Sequence, residues 1–179
     1  AQQTVMTATP LAVGDAVLYN FDQWDGYVAA RDRLLRSLVE RRVRNPMVLS
    51  GDIHLGGAAA LRVGDYEAPG NPDVAYEIVA TSISSGFGED LLPIFEAAIP
   101  KIRWVSYANA RKRGYAVVTV TADAFTTDFR VMASVTQEIL GNALFAISEE
   151  MAVVEYRSSF SPIIREMLEF DRTRGGQGE

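Results

Sequence analysis

The sequence predicts an α/β fold, and three observations carry that reading. An amphipathic stretch, AARDRLLRSLVERRVR, runs up to a breaker at Asn45-Pro46. The short apolar run PMVLS follows at once and ends on glycine. Runs rich in β-branched residues, VAYEIVATSI and GYAVVTVTA, recur downstream between turn-rich segments. Helix, strand and glycine loop in that order form the unit of an α/β sheet, and an uninterrupted apolar run suits a buried parallel strand.

Taken in order, QTVMTAT alternates polar and β-branched positions, so a strand and a loop are expected in the first dozen residues. A polar, aromatic loop, YNFDQWDGY, comes next. In the helix after it, Leu34, Leu35, Leu38 and Val39 recur at helical spacing, and the intervening Arg, Asp and Glu are expected to face water. Asn45-Pro46 should end it, because the residue before proline is pushed out of the helical region. GGAAALRVGDYEAPGNPD is rich first in small residues and then in turn residues. VAYEIVATSI reads as a strand leading to the Ser/Gly loop SISSGFG. EDLLPIFEAAIPKI reads as a short helix that tolerates Pro93 near its start. GYAVVTVTA and AFTTDFRVMAS suggest a hairpin closed at Ala122-Asp123. Past about residue 135 the signal weakens to a strand in AVVEYRSSF, a short helix in PIIREMLEF and a disordered tail. The division expected is residues 1–135 as one unit and 136–179 as an extension.

Composition excludes several function classes. Seventeen basic against twenty-three acidic residues give a net charge of −6, unsuited to a general nucleic-acid binder. The basic clusters at 41–44 and 111–113 read as a solvated helix end and loop. With no cysteine in the chain, neither disulfides nor thiolate metal sites can form. No apolar run approaches the roughly 20 residues of a membrane span.

The chemistry concentrates at Gly51-Asp52-Ile53-His54, which holds the chain's one histidine. Open α/β sheets place their sites at the carboxyl ends of strands. Glycine allows a sharp turn there, and Asp52 and His54, two apart in extended backbone, would point to one side. A carboxylate and an imidazole at that spacing can serve metal ions, or they can be a hydrogen-bonding pair at a strand end. Asp25 and Tyr27 could line a substrate cleft. Alternatively, Trp24 and Tyr27 anchor the helix while Asp25 makes a local turn bond. Ser82, Ser84 and Ser85 form a hydroxyl-rich loop, but no second histidine is present to serve a serine-hydrolase triad. Arg113 could touch phosphate or simply sit at the surface, and Gly114 is expected to serve a turn.

Several motifs in series sharpen the reading. Asp22-Gln23-Trp24-Asp25-Gly26-Tyr27 is followed by Val48-Leu49-Ser50-Gly51-Asp52-Ile53-His54, then by Glu77-Ile78-Val79-Ala80-Thr81-Ser82-Ile83-Ser84-Ser85 and by Arg113-Gly114-Tyr115. Over residues 1–132 this series resembles the PhoD-like alkaline phosphatases (alkaline phosphatase D) of the calcineurin-like metallophosphoesterase superfamily. The resemblance implies a four-layer α/β/β/α sandwich around a multinuclear metal centre that hydrolyses phosphate mono- and diesters with an activated water or hydroxide. It implies that Asp52 and His54 are the last metal-ligand motif, that the metals are iron with calcium, and that the protein is periplasmic or extracellular.

The resemblance also implies an earlier half of the domain, with further Asp, Asn, Cys and Tyr ligands, that these residues do not include. The opening AQQTVMTATPL matches the middle of the family. The expectation is a carboxyl-terminal piece whose partner is the amino-terminal half of the same enzyme, either as a separate chain of a nicked enzyme or as the earlier part of one longer chain. The competing reading is a non-catalytic α/β scaffold or binding module that retains an orphaned ligand motif.

Overall fold

A computed structural model of the chain describes residues 1–132 and the backbone of one further strand, 152–156. In order, the elements are strands β1 (Leu11–Val13) and β2 (Ala16–Leu18), a 3-10 turn at Trp24–Tyr27, helix α1 (Val28–Glu40), and strands β3 (Met47–Ser50), β4 (Gly56–Leu61) and β5 (Ala75–Val79). Helix α2 (Leu92–Ala98) follows and tightens into a 3-10 turn over Ile99–Lys101. Strands β6 (Val105–Asn109), β7 (Gly114–Val120), β8 (Phe125–Val131) and β9 (Ala152–Tyr156) complete the set.

The mixed α/β class is as expected. The central sheet has the order β3-β5-β4-β6, with β3 parallel to β5 and the other pairings antiparallel. The second sheet, β7-β8-β9, is antiparallel, so the strand expected in AVVEYRSSF lies beside β8. The expected helix in PIIREMLEF and the tail fall outside the described residues.

The two sheets pack face to face. Ala58, Ile78, Met47, Leu49 and Tyr107 on one side meet Phe125, Phe129, Ala116 and Val118 on the other. The strict alternation of β8, with Phe125, Thr127, Phe129 and Val131 buried, comes from this one-sided burial. The opposite face of the central sheet carries α1, through Leu35 on Leu61 and Ala75, and α2, through Phe95 on Leu55 and Ala110. Among the described residues this makes three layers, helices on sheet on sheet.

Several local expectations fail for physical reasons. QTVMTAT forms no strand: Val5, Met6, Thr7 and Ala8 are buried in succession, without the alternation of a one-sided strand. GGAAAL, unremarked for strand propensity, is a fully buried central strand. Its small residues let the segment 5–9 lie close above it, with Thr7 Oγ1 donating to Ala60 O at 3.2 Å. In α1 the buried residues are Arg31 and Leu35, with Leu38 packed beside them, while Leu34 and Val39 are 41% and 52% exposed. One arginine therefore faces the core and not water. The helix also stops before Asn45-Pro46. Arg42 takes a left-handed φ of 52°, and the amides of Arg42 and Val43 donate back to the carbonyls of Val39 and Leu38. That is a Schellman closure with arginine where glycine is usual. Gly114 serves no turn either: it opens β7, where a Cβ would stand 1.8 Å from the Arg130 carbonyl oxygen.

The buried segment 5–9 has no ladder to satisfy its backbone, and side chains do the work. Glu77, fully buried on β5, accepts from Met6 N at 2.8 Å, Thr7 N at 2.7 Å and Ser50 Oγ at 2.7 Å. Gln23 Oε1 accepts from Val5 N at 2.6 Å, and Trp104 Nε1 donates to Ala8 O at 2.8 Å. Asp25 accepts from Thr9 N at 2.9 Å, and Arg31 donates to Met6 O at 3.1 Å.

Two outcomes follow. Burial raises the Glu77 carboxyl above its ordinary 4.5, opposed by its hydrogen bonds to Ser50, Met6 and Thr7. The native state thus holds that proton to higher pH than the unfolded chain. Its stabilising contribution is full below the ordinary value and declines as pH rises through the raised one. Glu77→Gln turns an amide NH₂ toward backbone donors and should cost roughly 1–3 kcal/mol. In urea unfolding across pH, the gap between wild type and variant should narrow as pH rises. Asp25→Ala strands the buried Arg31 guanidinium, paired at 2.8 Å in the native protein, and should cost about 3–5 kcal/mol. Adding Arg31→Met to that variant should recover part of the loss in the same assay.

Candidate active site

The site is built where β3 ends. Ala80 N donates to Ser50 O at 2.8 Å and Gly51 N to Gln3 O at 3.0 Å, after which the ladder lets go. The backbone beyond is not extended as expected. Asp52 and His54 take left-handed φ values of 70° and 62°, with Ile53 between them. Such conformations are costly outside glycine, though Asp and His tolerate them better than most residues, and they persist only where neighbours hold them.

Both side chains are held, and both are exposed. Gln23, itself 3% exposed, donates its Nε2 to Asp52 Oδ2 at 3.1 Å while its Oε1 takes the Val5 amide. One oxygen of Asp52 is thereby oriented. His54 Nδ1 lies 3.0 Å from the Gly86 carbonyl oxygen. A carbonyl can only accept, so Nδ1 is the donor in this contact, and in the neutral ring that leaves the lone pair on Nε2, the form an imidazole needs to bind a metal. Gly86 belongs to the SISSGFG loop, and a Cβ there would come within 3.0 Å of an Arg113 guanidinium nitrogen. Arg113 also donates to the carbonyls of Ala110 and Arg111, so it backs the loop that holds His54.

The other candidates separate from this pair. The Asp25 carboxylate is buried, bonded to Arg31 on one oxygen and to Thr9 on the other. That is a structural post, stronger than the local turn bond expected. Tyr27 is 64% exposed and does not anchor the helix, whereas Trp24 packs into the core and donates Nε1 to Gln2 Oε1 at 2.8 Å. Ser82 bonds within its own loop, to the Ser85 carbonyl. Gln23 and Gly86 gave no sign of their roles in the sequence: an amide in a polar loop reads as solvated, and a loop glycine does not show what its carbonyl faces.

A carboxylate plus an imidazole with a free Nε2 fits part of a metal donor set. Among the described residues no group of three or more His, Cys, Asp or Glu side chains gathers to hold an ion. Asp52 and His54 by themselves do not complete a metal site.

Comparison with known proteins bears on what that set belongs to. Alkaline phosphatase D of Bacillus subtilis (strain 168) is 33% identical over 138 residues, covering 76% of this chain and 23% of that protein. The solved structure titled Structure of PhoD matches at a TM-score of 0.65 and 29% identity, over 86% of this chain and 27% of its own. The chain thus spans about a quarter of the length of either relative. The profile of the PhoD-like phosphatase family matches residues 1–129, which take in the WDGY turn, the Asp52–His54 bend and the Gly86 loop together. The chain belongs to the PhoD-like phosphatase family.

Proposed function

We propose that this chain contributes Asp52 and His54 to the metal centre of an enzyme hydrolysing phosphate mono- or diesters. The observation that carries the proposal is the pair itself: two exposed side chains on left-handed backbone, each oriented by a dedicated partner. Left-handed backbone sustained by its neighbours clusters at functional sites, and here, unlike the helix closure at Arg42, both residues that adopt it carry metal-ligand side chains. A bound metal centre supplies the Lewis acidity that activates water and offsets charge on the phosphoryl group.

The chain's own residues divide the remaining work. Gln23 keeps one Asp52 oxygen turned toward the protein, leaving the other for the ion. The Gly86 carbonyl holds the His54 proton on Nδ1, so Nε2 faces outward as a donor. Arg113 steadies the Gly86 loop and adds positive charge behind it. The remaining ligands come from the amino-terminal half of the enzyme, and iron with calcium is the proposed metal set. A periplasmic or extracellular location is proposed on the family resemblance.

The non-catalytic scaffold makes the opposite forecast, and substitution separates the two. Asp52→Asn and His54→Ala, each in the assembled enzyme, should lower bound metal by elemental analysis and remove most phosphoesterase activity. Gln23→Leu should cost about 10–100-fold in metal affinity or activity, the usual scale for a residue that orients a ligand. Unchanged metal content and activity in all three would leave the scaffold reading standing.

A further inference from the structure

The Asp52–His54 bend borders an apolar cleft. Ile53, the residue between the two, lies on its floor with Phe87, next to the Gly86 that holds His54. Leu11 and Leu18 of the β1–β2 hairpin form one wall, and Leu91 and Ile94 at the start of α2 form the other. Phe87 packs against buried Phe95 with ring centroids 5.0 Å apart and the planes tilted by 53°. Thr9, Asn20 and the phenol of Tyr19 are its polar members, and Thr9 is already engaged by Asp25. The cleft volume, about 440 Å³, falls in the range of small-molecule sites, which are mostly apolar with few placed polar groups.

We infer that this cleft is the subsite for the alcohol portion of the substrate, and that the preferred phosphate esters carry an apolar alcohol, aromatic or alkyl. The inference rests on the phosphoesterase reading above and adds its substrate class. In the hydrolysis the oxygen of water bonds to phosphorus, the phosphorus–oxygen bond to the alcohol breaks, and the departing oxygen takes a proton. An alcohol that leaves from a phosphoryl group at Asp52 and His54 has Ile53 as its immediate neighbour. An apolar body there removes Leu18 and Leu91, now 46% and 54% exposed, from water. A glycerol-like alcohol gains nothing from the same walls.

The test compares kcat and KM for 1-naphthyl phosphate and glycerol phosphate, and for their methyl diesters, in the assembled enzyme. The variants are Leu18→Ser and Leu91→Ser, whose exposure leaves folding to the buried core. The expected result is a roughly tenfold loss of kcat/KM for the naphthyl esters in the combined variant, mostly in KM, with glycerol esters unchanged. Tenfold is about 1.4 kcal/mol, the transfer value of roughly 50 Å² of apolar surface. Equal losses on both substrates, or no loss on either, would overturn the subsite. Equal losses with a lowered unfolding midpoint would make the cleft a packing surface for another segment, which also overturns it. If wild type hydrolyses both esters and His54→Ala hydrolyses neither, the phosphoesterase reading survives whatever the cleft variants do. If wild type hydrolyses none, that reading falls and takes the subsite with it.

Discussion

A buried carboxylate sets the geometry on which the site depends. Segment 5–9 crosses the helix-bearing face of the central sheet without belonging to any strand, so its amides need partners from elsewhere. Glu77 supplies two of them and binds Ser50 with the same group. Ser50 is the last residue of β3, immediately before the Gly51-Asp52 bend. One side chain on β5 therefore fixes the height of the segment above the sheet and the place where β3 ends. The desolvation cost appears as the raised pKa of Glu77, and the three donors are what make the burial tolerable.

From that anchor the geometry passes outward in two short steps. With Val5 fixed, its amide takes Gln23 Oε1 and its carbonyl takes the Trp24 amide, which positions the WDGY turn. Gln23 then has one remaining group, its NH₂, and this reaches Asp52. Asp25, one turn on, closes the segment's other end by binding Thr9 and the Arg31 of α1. The WDGY motif is thus a bracket between helix, buried segment and site. His54 is reached from the other side, by the Gly86 loop that follows β5 and rests on Arg113.

Much of this was legible in the sequence, and the failures share a cause. Helix α1, the β7–β8 hairpin and the α2 segment with Pro93 followed from local pattern because each has one buried face, and the parallel strand β3 because it packs on both. β4 did not, since Gly-Gly-Ala-Ala-Ala reflects the space left by neighbours and not an intrinsic preference. Arg31 and Glu77 were invisible for a related reason: a charged residue in an amphipathic pattern reads as solvated until its buried partners are known. Asp52 and His54 were legible as chemistry, but their left-handed backbone, and the Gln23 and Gly86 contacts that sustain it, depend on residues 29 and 32 positions away.

The protonation state of His54 tests the account most directly, because a metal-binding role requires a lone pair on Nε2. The chain has one histidine, so its imidazole nitrogens can be assigned in a ¹⁵N correlation spectrum and verified by their loss in His54→Gln. The account requires the proton on Nδ1 and a change at Nε2 when a divalent or ferric ion is added. A proton on Nε2, unaltered by metal, would show that His54 is a strand-end residue satisfied by its neighbours, and the metal site would not include it.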